Sequence, residues 1–102
     1  MIRQAINPDT VPKPAGIYSN GLLCEAGKIL SVAGQVGIDP LGQMPLGSDA
    51  ISQTHQTFAN VISIVEAAGG RASDIVSLMI HVTDIADMGI VNEVRTEIFT
   101  AP

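Results

Sequence analysis

Two hydrophobic periods divide the chain. Residues 75–83 alternate strictly, with Val76, Leu78, Ile80 and Val82 on one face and Ser77, Met79, His81 and Thr83 on the other. That is the period of a strand with one aliphatic face against a core. Residues 28–33 alternate in the same way, Leu30 and Val32 opposing Ile29, Ser31 and Ala33. They follow a second extended run, residues 17–25, across Ala26-Gly27, so a tight hairpin is expected there. Residues 2–6 supply a weaker strand signal. By contrast, Ile51, Phe58, Ile62 and Val65, with His55 on the same stripe, repeat with helical spacing over about four turns. Ser48 or Asp49 can cap this helix, and Gly69-Gly70 ends it, because glycine takes the left-handed conformation without steric cost. A second helix starts at about Asp84 or Asp87, acidic residues suited to a helix N-terminus. Its stripe is Met88, Val91, Val94 and Ile98. Gly89 within it costs roughly 1 kcal/mol relative to alanine.

The intervening stretches are turn-rich. Residues 7–16 hold Pro8, Pro12 and Pro14, and residues 34–47 hold four glycines and two prolines. The predicted order is β-β-β-α-β-α, an α+β arrangement with helices on one face of a sheet. The second face of residues 75–83, with Met79 among small polar side chains, suits contact with another subunit.

Length and composition narrow this further. A chain of 102 residues makes one domain, residues 1–102. With no Trp, one Tyr and two Phe, its core is expected to be aliphatic. The formal charge is −5, and the five basic residues (Arg3, Lys13, Lys28, Arg71, Arg95) are scattered singly. Nucleic acid and anionic membrane surfaces are therefore poor partners. The single cysteine, Cys24, fits a reducing compartment and excludes an intrachain disulfide or a cysteine-rich metal site. No signal peptide and no membrane-spanning run is evident, so a soluble cytoplasmic protein is expected.

Standard catalytic motifs, including GxSxG, HExxH, CxxC and the P-loop, are absent. His55 reads as a packed or hydrogen-bonded residue on a buried helical stripe. His81, on the mixed face of a strand, reads as structural. Cys24 has no cationic neighbour in sequence to activate it and reads as a small apolar residue. Asp84 and Asp87 read as caps. In Gly34-Gln35-Val36-Gly37 a glycine permits close backbone approach to a ligand or another chain; a simple turn is the equal alternative.

Taken together, several stretches resemble the RidA/YjgF family, whose members also carry the description L-PSP endoribonuclease or translation inhibitor. They are Gly16-Ile17-Tyr18-Ser19; Val32 to Pro40, reading V-A-G-Q-V-G-I-D-P; Glu66-Ala67-Ala68-Gly69; Asp74-Ile75-Val76 with Val82-Thr83-Asp84; and Val91-Asn92-Glu93-Val94. No single piece is specific, but their order and spacing agree over nearly the whole chain. The resemblance implies a chorismate-mutase-like fold, a mixed sheet carrying both helices on one face, and homotrimers with clefts between subunits. It implies a hydrolase that converts reactive enamines or imines, such as 2-aminoacrylate, to 2-keto acids and ammonia without metal or organic cofactor. By the same carry-over, Tyr18 and Asn92 are catalytic residues, and Tyr18, Ala33, Gly34 and Asn92 contact substrate.

Two departures stand out. Ala33 replaces the family serine. The family's carboxylate-binding arginine and a later glutamate lie beyond the second helix, where this chain reaches Pro102, so a C-terminally truncated domain lacking the family's last strands is expected. Activity of the 2-iminobutanoate/2-iminopropanoate deaminase type is expected if that arginine is present in the complete protein. Arg3, Arg71 and Arg95 do not match it. Arg95 is one turn from Asn92, and a solvated helix arginine is the favoured reading for it. The alternatives are a non-catalytic member binding small carboxylates or a protein partner and, less favoured because of the acidity, an endoribonuclease.

Overall fold

The computed structural model describes residues 3–16, 18–25, 27–43 and 49–99. Ile2, Ile17, Ala26 and Ser48, placed above in strands, a turn and a cap, lie outside the described residues, as does Pro102.

The architecture is α+β. Strands β1 (Arg3–Ile6) and β2 (Gly21–Cys24) form an antiparallel ladder that pairs Arg3 with Cys24 and Ile6 with Gly21. Helices α1 (Ala50–Ala67) and α2 (Met88–Ile98) follow, with short 3-10 turns at Ala72–Asp74 and Ile85–Asp87. No helix among the described residues is long and apolar enough to cross a membrane.

The pairing departs from the expected hairpin. β2 pairs with β1 rather than with residues 28–33, and among the described residues the sheet is two-stranded and antiparallel rather than mixed. Side chains of the proline-rich connection explain the choice. The Asn20 backbone N–H donates to Asn7 Oδ1 at 2.8 Å, one step beyond the Ile6–Gly21 pair, and Asn20 Nδ2 donates to the Pro12 carbonyl at 2.9 Å. These bonds clamp the loop ends and hold the two strands together. Residues 28–33 carry no ladder assignment and are largely exposed, Ile29 at 94%.

Residues 75–83 likewise have no assigned ladder, yet their alternation is real. Leu78, Ile80 and Val82 are half-buried, whereas Met79, His81 and Thr83 are exposed. Period two sets which face is apolar; a strand also requires a hydrogen-bonding partner, which alternation does not specify.

α1 starts where expected. Asp49, in extended conformation, accepts the Ser52 N–H at 2.7 Å. This bond, followed by one from the Ser52 side chain, holds the Asp49 carboxyl below the usual carboxylate range. At the other end Gly69 has φ of +91°, and the Gly70 N–H reaches back to the Val65 carbonyl at 3.0 Å.

The buried stripe of α1 runs through Thr54, Phe58 and Val65: the expected Phe58 and Val65 hold, and Thr54 takes the place of Ile51 and His55. Ile51 and His55 are exposed, and His55 Nε2 stands 3.9 Å from Glu97 Oε2 on α2. His55 is thus a surface residue rather than a packed one. Thr54 tolerates burial because its hydroxyl donates to the Ala50 carbonyl at 2.6 Å. α2 keeps its predicted stripe, with Val91 and Val94 buried. Phe58, Val91 and Val94 form the core, flanked by Ile80, Val82, Ile98 and Phe99. Phe58 thus sits in the core and Phe99 packs against it, in place of a purely aliphatic interior. The Asp84 side chain accepts the Ala86 N–H at 3.0 Å, capping the turn that leads into α2.

The Gly34–Gly37 segment docks on α1 through its second glycine. Asn60 Nδ2 donates to the carbonyls of Val36 (3.1 Å) and Ile38 (2.8 Å), and Gln56 Nε2 orients Asn60 through its Oδ1 at 2.8 Å. Gly37 between them is buried against Gln53, whereas a Cβ on Gly34 would meet nothing within 4 Å.

Candidate functional site

A concavity of about 550 Å³ lies between β1–β2, residues 72–78 and the C-terminal end of α2. That volume is in the range of small-molecule sites. Tyr18 lines one wall just before β2, with Ser19 and Asn20 beside it; Ser73 and Ser77 contribute hydroxyls from the opposite side, and Ile98 and Phe99 close the apolar end. The Tyr18 hydroxyl accepts the Ala15 N–H at 3.3 Å, which orients the phenol at the rim.

Two arginines complete the lining. Arg3, on β1, donates from Nη1 to the Ile75 carbonyl at 2.7 Å, a bond that ties the strand to the start of the 75–83 segment. Arg95, in the last turn of α2, is half-buried rather than solvated, and its Nε is shielded from solvent with no hydrogen-bond partner. None of the described lining residues is acidic. In a chain of net charge −5, two of its five cations therefore share one concavity with no acidic side chain among its described lining residues. Chemically, the place is complementary to a small anion with hydrogen-bonding groups, since guanidinium is always charged and presents planar forked donors.

The other expected site residues lie elsewhere on the chain. Asn92 is exposed on α2 and lines a separate shallow hollow with Gly89, Glu93, Thr96 and Glu97. Its backbone carbonyl accepts the Thr96 hydroxyl at 2.8 Å. Ala33 and Gly34 are exposed and line neither concavity; the Ala33 carbonyl accepts Gln35 Nε2 at 3.1 Å. Within one chain, then, Tyr18 is brought together with Arg95 and Arg3, and not with Asn92, Ala33 or Gly34. Arg95, whose favoured reading was a solvated helix arginine, instead joins Tyr18 in this lining. Arg3 carried no signal in the sequence beyond being the sole cation of β1, because its partner Ile75 is far along the chain. Among the described residues no three His, Cys, Asp or Glu side chains are grouped to hold a metal.

Comparison with known proteins places this fold. The family model described as endoribonuclease L-PSP matches residues 9–102. A RutC family protein of Pyrococcus horikoshii is 35% identical over 98 residues, covering 96% of this chain and 76% of the relative. A 2-iminobutanoate/2-iminopropanoate deaminase of Escherichia coli K12 is 33% identical over 98 residues, covering 95% of this chain and 73% of the relative. In three dimensions the chain resembles a protein of the conserved Rid family, YyfB from Yersinia pestis, with a TM-score of 0.73 and 28% identity over 91% of this chain and 72% of that one. A family match from residue 9 onward, relatives above 30% identity along the chain and a Rid-family fold together establish that the chain belongs to the RidA/YjgF family, the endoribonuclease L-PSP family.

Proposed function

We propose that this chain is an imine deaminase of the RidA type, hydrolysing small enamine or imine acids such as 2-aminoacrylate to 2-keto acids and ammonia. The observation that carries this reading is the identity shared along nearly the whole chain with relatives named 2-iminobutanoate/2-iminopropanoate deaminase. The cationic concavity beside Tyr18 supports it, because every substrate of this class carries a carboxylate.

The chemistry asks little of the protein. The enamine tautomerises to the imine, water adds to the C=N carbon, and the tetrahedral adduct expels ammonia as its nitrogen gains a proton, leaving the keto acid. Positioning the carboxylate and the water is the main contribution required. Tyr18 is assigned to water or the leaving nitrogen through its hydroxyl. Asn92, Gly34 and Ala33 lie on other surfaces of the chain, so in this reading they meet Tyr18 across a subunit boundary in a homotrimer. The largely exposed Ile29 and the 84% exposed Met79 are candidates for that boundary. A cytoplasmic location fits an enzyme that intercepts reactive metabolic intermediates.

The test is direct. The protein is mixed with enzymatically generated 2-aminoacrylate and the decay of the enamine is followed. Decay no faster than in buffer rejects the enzymatic reading. A second reading, a non-catalytic member that binds small carboxylates, is favoured by Ala33, which supplies no hydroxyl; stabilisation by 2-keto acids without turnover would select it.

A further inference from the structure

We infer that Asn20-Gly21 is a self-modification site, where the chain deamidates itself with water as the only co-reactant and so releases the clamp that pairs β1 with β2.

Three observations converge. First, of the four asparagines only Asn20 precedes a glycine. Attack on an asparagine side chain comes from the next backbone nitrogen, and a side chain on that next residue hinders it. Asn7 precedes Pro8, which has no N–H to lose. Asn60 and Asn92 lie inside α1 and α2, followed by Val61 and Glu93. Second, the Gly21 nitrogen is not spent on the ladder. A Cβ at position 21 would stand 3.6 Å from Ile6 Cβ, the close approach of a non-hydrogen-bonded antiparallel pair. In such a pair the N–H points away from the partner strand, here toward an edge of β2 with no ladder partner among the described residues. Third, Asn20 is exposed, and its Nδ2 is held at the loop by the bond to the Pro12 carbonyl. Exposed loop bonds open at little cost, which frees the amide to swing toward Gly21.

The step balances. Hydroxide takes the Gly21 amide proton, and the nitrogen attacks Asn20 Cγ. The Cγ–Nδ2 bond breaks, and Nδ2 leaves as ammonia with a proton from water. The cyclic imide then adds water at either carbonyl and opens to aspartate or isoaspartate. Either product carries one more negative charge and no side-chain N–H. A carboxylate only accepts hydrogen bonds, so the bond to the Pro12 carbonyl is lost and two acceptors face each other. Isoaspartate also adds a methylene to the main chain one residue before the Ile6–Gly21 pair, displacing the Asn20 N–H from Asn7 Oδ1.

The experiment incubates the full chain for several weeks at neutral and at mildly alkaline pH, with intact mass, peptide mapping and thermal unfolding followed in parallel. A one-dalton gain confined to Asn20 is expected, several-fold faster at the alkaline pH. G21A, whose Cβ makes only ordinary contact with Ile6, should convert roughly tenfold more slowly with an unchanged circular dichroism spectrum. N7A, which removes one arm of the clamp, should convert several-fold faster than the parent. N20D should lower the thermal midpoint by about 4–8 °C, the shift expected for one lost hydrogen bond in a domain of this size. No mass gain, conversion spread over Asn60 and Asn92, or conversion of G21A at the parent rate would overturn the site. A folded N20D that melts with the parent would overturn the release of the clamp. Should N20D fail to fold, the midpoint of the incubated parent decides: it must fall in step with conversion at Asn20, and a constant midpoint overturns the release.

Discussion

Gly37 lies against Gln53 so closely that a Cβ at position 37 would stand 2.9 Å from Gln53 Cα and 3.0 Å from its carbonyl oxygen. Both neighbours are helix backbone and cannot swing aside. Replacing Gly37 with alanine is therefore expected to destabilise the chain by about 1–3 kcal/mol, the usual range for overpacking. The same change at Gly34 meets open space and is expected to stay within about 0.5 kcal/mol. Urea unfolding followed by circular dichroism measures both, and equal effects at the two positions would contradict the docked geometry.

Phe58, on α1, meets Phe99, just past α2, edge to face at 5.2 Å between centroids and 83° between planes. Phe58 is 4% exposed and belongs to the core with Val91 and Val94. Phe58→Ala is expected to cost about 3–5 kcal/mol. Phe99→Leu, at a half-buried position, should cost less. Because the chain has no tryptophan, far-ultraviolet circular dichroism is the suitable readout. A loss under 1 kcal/mol for Phe58→Ala would mean that the helix pair is not the core.

The Asp49 cap sets a pH dependence. Its carboxyl is held below the usual carboxylate range by the Ser52 N–H and then the Ser52 side chain. A depressed folded-state pKa gives stability that is fully present above the unfolded-state value and lost as pH falls through the folded-state value. Asparagine is also a good cap but does not titrate. Asp49→Asn should therefore flatten the acid limb of the unfolding midpoint against pH, the gap between the proteins closing as pH drops below the carboxylate range. Parallel acid limbs would show that the charge on Asp49 contributes nothing.

Tyr18 and Asn92 separate function from fold. The Tyr18 hydroxyl has a single long bond, 3.3 Å from the Ala15 nitrogen, on an exposed loop. Tyr18→Phe should leave the unfolding midpoint unchanged and lower kcat/KM for 2-aminoacrylate about tenfold or more. Asn92→Ala, on the exposed side of α2, should also reduce turnover if another subunit completes the site. An active monomer by light scattering would refute that cross-subunit site. Loss of turnover in both variants within an oligomer is the expected result.

How much could be read in advance follows from what sequence neighbours can determine. The α1 boundaries were legible because caps are local: Asp49 reaches only three residues forward, and Gly69 acts on the turn before it. The α2 stripe was legible because Val91 and Val94 lie less than one turn apart on one face. The period-two faces of residues 78–83 were legible for the same reason. The family resemblance, carried by short stretches in fixed order, also came from sequence and agrees with the comparisons.

Tertiary structure alone decided the rest, because it concerns partners distant along the chain. Pairing of β1 with β2 depends on the Asn7–Asn20 and Pro12–Asn20 bonds across a loop that composition describes only as irregular. The helical period placed Phe58 and Val65 inward, as observed, but could not decide whether Ile51 with His55 or Thr54 continues that line; packing selected Thr54, helped by its hydroxyl bonding its own helix. The union of Arg3, Tyr18 and Arg95 around one concavity was likewise invisible. Period and capping are set by residues within a turn or two, whereas a site is set by which surfaces the folded core leaves facing one another.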